Sequence, residues 1–345
     1  MNVPRASFLM YPKTCIITLL ILSFIIGYII AYFNIKIPLQ SIEENLVITA
    51  SVVPDEDERC PLMSRISNSL REVTLDVSEF SRLGTIYNLE PGGAWHPRHC
   101  QSLHHVAIIV SYRNRPDHLK TFLVNLHPFL QRQNLSYQIF VVEQNLPQKF
   151  NRAKLFNVGY VEAQKLSQFK CVIFHDIDLI PENPNNIYAC TKKPRHMSSS
   201  IDIYDYQNLY FRLFGGAVAI LQEQFEKVNG FSNSYFGWGG EDDDFTRGYK
   251  MLNHKKDTRE DEILELLSSS SSRRKTDGLN SLNYSLLSFD LFDSYTRILR
   301  IFRPQITPKR PLTLFDLITC EVKNMQYFTS SCIISKLTKV VSTKW

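Results

Sequence analysis

The sequence predicts an α/β fold, and three observations carry that prediction. Val106-Ala-Ile-Ile-Val-Ser111, Tyr137–Glu143 and Cys171–His175 are short, β-branched runs almost free of charge, the texture of strands buried on both faces. Between the second and third, Ala153–Ser167 carries Leu155, Phe156, Val158, Gly159 and Ala163 near helical spacing. Strand, helix, strand in this rhythm implies βαβ crossovers, hence a mostly parallel central sheet covered by helices. The chain's 345 residues, 44% hydrophobic and 21% charged, give ample material for such a core and exclude wholesale disorder. With 39 Lys+Arg against 34 Asp+Glu, the net charge of +5 is too thin for a nucleic-acid partner tracked through its phosphates.

Ahead of the sheet, residues 14–33 (TCIITLLILSFIIGYIIAYF) are twenty residues without a charge, enough to cross a bilayer as one helix. A cleaved signal peptide is the rival, but its apolar stretch is shorter and ends at small residues, whereas this run continues through Tyr28, Tyr32 and Phe33. The expectation is a type II anchor: residues 1–13 a cytoplasmic tail, 34–59 a polar flexible stem, 60–302 a luminal domain and 303–345 a basic, Pro-broken extension. A luminal body is an oxidising one, so Cys60, Cys100, Cys171, Cys190, Cys320 and Cys332 are expected to pair, with the connectivity open. The sequons at Asn134 and Asn283 suit the same compartment. Ser268–Ser272, followed by Arg273-Arg274-Lys275, reads as an exposed low-complexity loop.

Four constellations carry chemistry. Asp176-Ile177-Asp178 ends the third strand, where open parallel sheets bind ligands, and carboxylates at i and i+2 of an extended chain can share one hard divalent cation. Ser111-Tyr112-Arg113-Asn-Arg115 follows the first strand as a basic, aromatic loop suited to a nucleotide's base and phosphates. Phe150-Asn151-Arg152 opens the helix, where backbone N–H groups and a guanidinium can meet an anion. Gly237-Trp238-Gly-Gly240-Glu241-Asp242-Asp243-Asp244 joins flexible backbone, an indole platform and four acids that repel one another and titrate upward unless their charge serves something. The alternate-position ligands of an EF-hand are absent.

In this order and spacing the chain resembles the β1,4-galactosyltransferases of the Golgi. The matching pieces are Arg113-Asn-Arg115, Phe150–Lys154 with Asn157-Val-Gly159, Asp176–Pro181, Phe214-Gly-Gly216, Trp238–Asp244 and Asp277–Leu282. The resemblance implies a GT-A-like nucleotide-sugar fold and Mn²⁺-dependent, inverting transfer of Gal or GalNAc from a UDP-sugar to the 4-hydroxyl of a terminal GlcNAc, at the Golgi membrane. Carried over by motif, Ser111, Tyr112, Arg113, Arg115, Phe150, Asn151, Arg152, Asp176, Ile177, Asp178, Leu213 and Trp238 would hold the donor. Tyr210, Trp238, Gly240, Glu241, Asp242 and Asp243 would line the acceptor, with Asp242 the general base. Asp178, Met251 and His254 would bind the metal, and Cys60–Cys100 and Cys171–Cys190 would be disulfides.

The chain departs from the pattern in two places that matter. Leu213 stands where galactose-specific members carry Tyr, which opens the pocket to the C2 substituent of UDP-GalNAc without forbidding UDP-Gal. Nine residues separate Asp244 from His254, about seventeen fewer than the family's pattern, although nine extended residues still reach roughly 30 Å. The shortening makes a catalytically silent sugar- or partner-binding relative the competing reading, and leaves Ile263–Leu267 as candidates for the acceptor's N-acetyl pocket.

Overall fold

A computed structural model of the chain describes residues 20–28, 42–61, 70–145, 148–207, 214–237, 239–245 and 260–301. The chain divides into two units, Met1–Phe302 and Arg303–Trp345, and the second lies outside the described residues.

The three expected strands form with slightly longer bounds: β1 (His105–Tyr112), β2 (Ser136–Gln144) and β3 (Cys171–Asp176). Ahead of them α1 (Leu83–Ile86) is a single turn. Helix α2 (Pro116–Gln131) joins β1 to β2 and begins with Pro at its first position, where a missing N–H costs nothing. Helix α3 (Arg152–Leu166) joins β2 to β3, its first turn capped by the Asn151 carbonyl oxygen Oδ1, which accepts the Lys154 N–H at 2.8 Å. The short β4 (Arg195–His196) and β5 (Ala217–Leu221) follow, then α4 (Gln222–Lys227), α5 (Glu241–Phe245), α6 (Glu260–Arg273), β6 (Ser285–Leu291) and β7 (Thr296–Ile301).

The sheet has seven strands in the order β4-β5-β3-β1-β2-β7-β6. Its centre, β3-β1-β2-β7, is parallel, but β5 runs antiparallel to both β3 and β4, and β6 antiparallel to β7. The sheet is therefore mixed rather than mostly parallel, because both outer pairs are antiparallel additions to the βαβαβ centre. Side chains alternate across it. Val106, Ile108, Val110, Ile139, Val141 and Ile173 pack with α2 residues Phe122, Leu126 and Leu130. On the other face, Ala107, Ile109, Phe140, Val142, Val172 and Phe174 pack with α3 residues Leu155, Phe156 and Val158. Gly159 is a packing requirement: a methyl there would strike Ile109 and Val142, so its absence lets α3 lie against the sheet. Because the chain goes from β1 to β2 on one side and crosses back to β3 on the other, α2 and α3 cover opposite faces. The crevice between the carboxyl ends of β1 and β3 is thus a topological switch point, where ligands of such sheets bind.

Other differences from expectation have local causes. Of the expected stem, residues 42–59 pack onto the domain: Ile42, Leu46 and Val47 touch the core, and the Thr49 N–H bonds the Leu103 carbonyl at 2.9 Å. Disulfides join Cys60 to Cys100 and Cys171 to Cys190. The polyserine run is helical, within α6, where Ser268, Ser269 and Ser272 return their hydroxyls to carbonyls three or four residues back. Of the apolar run 14–33, residues 20–28 are helical and the remainder lie outside the described residues; among the described residues no helix is long and apolar enough to cross a membrane.

Candidate active site

The crevice is built from strand ends. Ser111, buried, lies in register with Asp176 across the β1–β3 ladder. Tyr112 closes β1, and its hydroxyl accepts the Arg115 N–H at 3.1 Å, fixing the turn of the basic loop. Arg115 then reaches across the crevice to Asp178, Nη1 to Oδ2 at 2.8 Å, with both side chains about half exposed. Arg113 donates to the Gln148 carbonyl and lies over the Phe150 ring, 5.1 Å from its centroid.

Asp176 and Asp178 do not share a partner. The strand ends at Asp176, Ile177 is buried in the turn that follows, and the extended geometry assumed for the pair is lost. Asp178 faces Arg115, whereas Asp176 Oδ1 bonds Arg152 Nε at 2.5 Å. Arg152 also donates to Glu241, Nη1 to Oε1 at 3.2 Å, and its guanidinium lies 4.6 Å from the Phe156 ring centroid. The anions this arginine meets are thus two carboxylates of the chain itself, at the end of β3 and the start of α5. Burial works to lower the Arg152 pKa, but Asp176 and then Glu241 outweigh it and hold the guanidinium charged. Asn151 is likewise committed internally: besides capping α3, its Nδ2 donates to the Asn233 carbonyl at 2.8 Å.

The four acidic residues form the first turn of α5, where the helix dipole favours negative charge. Burial and the neighbouring Asp242 push Glu241 up to about 7, against the pull of Arg152. Burial also raises Asp244, opposed by Ser270, Arg273 and Arg274. Burial leads both shifts, and repulsion within the acidic turn adds to it at Glu241. Asp242 lies against the Phe214–Gly216 turn so closely that a methyl on Gly215 would collide with its Oδ2. Phe245, at the end of α5, stacks on Phe231 at 4.2 Å and on Phe214 at 6.0 Å, tying the acidic turn to the core.

A scaffold not read from the sequence holds the approach to this turn. Asn157 donates to the Phe231 carbonyl at 2.7 Å and accepts the Phe231 N–H at 2.9 Å, and Asp277 accepts from Asn233 N, Ser234 Oγ and the guanidinium of Arg273. Two of the motif pieces, around Asn157 and Asp277, therefore brace the loop that carries the acidic turn. Their signal in the sequence was their position within the motif series, and nothing in their chemistry named the partner. Arg273, expected in an exposed loop, instead contacts Asp277, Asp244 (3.6 Å) and Tyr235. Ile263 packs against Gly240. Tyr210, Leu213, Trp238, Met251 and His254 lie outside the described residues. Asn283 is exposed and Asn134 half-buried, with Asn134 in a left-handed turn.

Comparison with known proteins sets this geometry in a class. Residues 60–191 match the family model described as the N-terminal region of glycosyl transferase group 7, and residues 195–257 match the N-terminal domain of galactosyltransferase. The chain is 40% identical over 292 residues to beta-1,4-galactosyltransferase 4 of Cricetulus griseus, covering 78% of this chain and 84% of that one. It is 44% identical over 226 residues to the Homo sapiens beta-1,4-galactosyltransferase 4, covering 60% and 66%. The chain belongs to the β1,4-galactosyltransferase family. Among solved structures, the Drosophila β1,4-galactosyltransferase 7 in complex with manganese, UDP-Gal and xylobiose matches at 25% identity with a TM-score of 0.47, covering 59% of this chain and 96% of that one.

Proposed function

We propose that the chain is an inverting, Mn²⁺-dependent glycosyltransferase of GT-A-like fold. It moves Gal or GalNAc from a UDP-sugar to the 4-hydroxyl of a terminal GlcNAc, as a single-pass type II protein of the Golgi membrane with a luminal domain. The observation that carries this reading is that the basic loop after β1 pairs with Asp178 beyond β3 through Arg115, while Arg152 ties the end of β3 to the helix start that bears Asp242. Membership of the family supports the reaction class, and the apolar run 14–33 supports the anchor.

In this mechanism Arg113 and Arg115 meet the diphosphate, and Asp242 takes the proton from the acceptor hydroxyl as that oxygen attacks the anomeric carbon from the face opposite UDP. The configuration inverts from α to β, and no covalent intermediate forms. A general base in such a role contributes about 10²–10⁴ in rate. Asp178 fits a metal ligand: its carboxylate is half exposed beside the strand end and offers a hard oxygen donor. Met251 and His254 would complete the set. Among the described residues no group of three His, Cys, Asp or Glu stands together as a metal site. When bound, Mn²⁺ supplies Lewis-acid neutralisation of the departing diphosphate.

One observation favours a second reading, a silent sugar-binding relative. Arg115 already pairs with Asp178, and the segment that must bring Met251 and His254 to it is short. Turnover separates the two. The full chain in detergent, given UDP-Gal or UDP-GalNAc, Mn²⁺ and a GlcNAc acceptor, is expected to form product with at least one donor, and folded protein that forms none sinks the first reading. Leu213→Tyr is expected to shift the Gal/GalNAc rate ratio toward Gal by about tenfold, the discrimination available from a bulk change in a pocket; an unchanged ratio discredits the pocket argument.

A further inference from the structure

The turn against which Asp242 rests is itself held from behind. The Gly215 carbonyl accepts two hydrogen bonds, from Ser198 Oγ at 3.0 Å and from His196 Nε2 at 3.0 Å. A carbonyl only accepts, so the bond to Gly215 requires the tautomer protonated at Nε2, which also lies 3.2 Å from Ser198 Oγ. The Ser198 oxygen in turn accepts the Ala217 N–H at 2.9 Å, and the Met197 N–H bonds the Ala217 carbonyl at 2.8 Å. Gly215 and Ala217 are thereby bonded by His196, Met197 and Ser198, and the Gly216 carbonyl accepts the Asp176 N–H at 3.0 Å. Gly216 is in the left-handed region, and a methyl on it would strike the Ser198 hydroxyl. Gly215 presents its bare α-carbon to the Asp242 carboxylate. Phe214 stacks on Phe245, which belongs to the same short helix as Asp242. Turn and helix are coupled at two points, and His196 and Ser198 bond the turn from its other side.

We propose that His196 and Ser198 are positioning residues for Asp242, acting through the Gly215 carbonyl to hold the carboxylate in its productive orientation. The inference rests on the reading of Asp242 as general base. Neither side chain is assigned to donor, acceptor or metal. Burial lowers the His196 pKa, the Gly215 hydrogen bond and Asp242 opposing it, which is consistent with a neutral donor ring. Loss of one donor frees the carbonyl, the turn relaxes away from α5, and the carboxylate gains rotamers in which it misses the acceptor hydroxyl. Misplacement of this order costs about 10- to 100-fold in rate while leaving the nucleotide's contacts alone.

The test uses the full chain in detergent. His196→Leu and Ser198→Ala are each expected to lower kcat about tenfold or more, with KM for the UDP-sugar within about twofold of the parent. His196→Gln, which keeps a side-chain N–H donor, is expected to recover most of the loss. Equal kcat in His196→Leu and parent, or no recovery by Gln, overturns the proposal, as does a parallel rise in KM. A second readout needs no turnover. In spectra of ¹³C-labelled histidine, with the His196 signal assigned by His196→Gln, Asp242→Asn is expected to lower the ring's titration midpoint, because the carboxylate that favours its protonated form is gone. An unmoved midpoint overturns the proposal. Should the parent itself show no turnover, the base reading fails, and the ring's response still decides whether the clamp and Asp242 are coupled.

Discussion

Arg152 is the residue on which the site's electrostatics turn. It is only 14% exposed and stands between Asp176 and Glu241, so one guanidinium balances carboxylates from β3 and α5. Glu241, held up to about 7 chiefly by burial, binds a proton more tightly folded than unfolded. Its contribution to stability is therefore complete below its unfolded value of about 4.3 and fades as pH rises to about 7. Glu241→Gln removes that dependence. Urea unfolding at pH 5 and pH 8 is expected to show the variant gaining on the parent as pH rises, by on the order of 1–3 kcal/mol. A difference that stays constant across the range contradicts the assignment.

At the scale of elements, the acidic turn depends on a loop braced by residues distant in sequence. Asn157, buried in α3, makes two hydrogen bonds to the backbone of Phe231 and one to Asn233. Asn157→Ala leaves buried backbone groups unsatisfied and is expected to cost about 2–4 kcal/mol in chemical denaturation, with loss of turnover beyond the stability loss. An effect under about 0.5 kcal/mol contradicts the bracing role. Elements of this kind differ in how plainly the sequence displays them. Strands β1 to β3 are legible because they are buried on both faces and read as continuous apolar runs. Strand β7 is not read from the sequence, since Arg297 and Arg300 interrupt its apolar residues. Glu143 pairs with the first, and Glu162 with the second, which is fully buried over the Tyr284 ring. Those partners lie about a hundred and fifty residues away on β2 and α3, where no local pattern reveals them. Helix α6 is hidden for another reason: a run of serine signals exposed loop, yet here it continues a helix that begins at Glu260, its hydroxyls bonding carbonyls of the preceding turn. In the candidate site, the loop, strand-end and acidic-turn positions are visible as motifs, whereas the internal use of Asn151 and Arg152 depends on folded neighbours.

The whole described domain is tied at two covalent points and tuned by buried imidazoles. Cys171–Cys190 closes a loop of 19 residues between the start of β3 and the approach to β4, and the paired Cys171→Ala, Cys190→Ala variant is expected to lose about 3 kcal/mol of stability; a loss near zero contradicts a structural role. His127, bonded to Tyr137 and the Ser294 carbonyl, and His175, bonded to Tyr188, are both pushed down to about 4 by burial. Their contribution has the opposite sign from that of Glu241: complete above about 6.5 and lost as pH falls toward 4. The central claim is that the switch-point crevice binds a UDP-sugar and that Asp242, resting on Gly215, does the proton transfer there. Asp242→Asn in the full chain, with UDP–Mn²⁺ affinity and transfer rate measured on the same protein, tests it most directly. The account predicts an unchanged Kd for UDP–Mn²⁺ and a transfer rate at least about 100-fold lower than the parent's. A variant that transfers sugar as fast as the parent would contradict it.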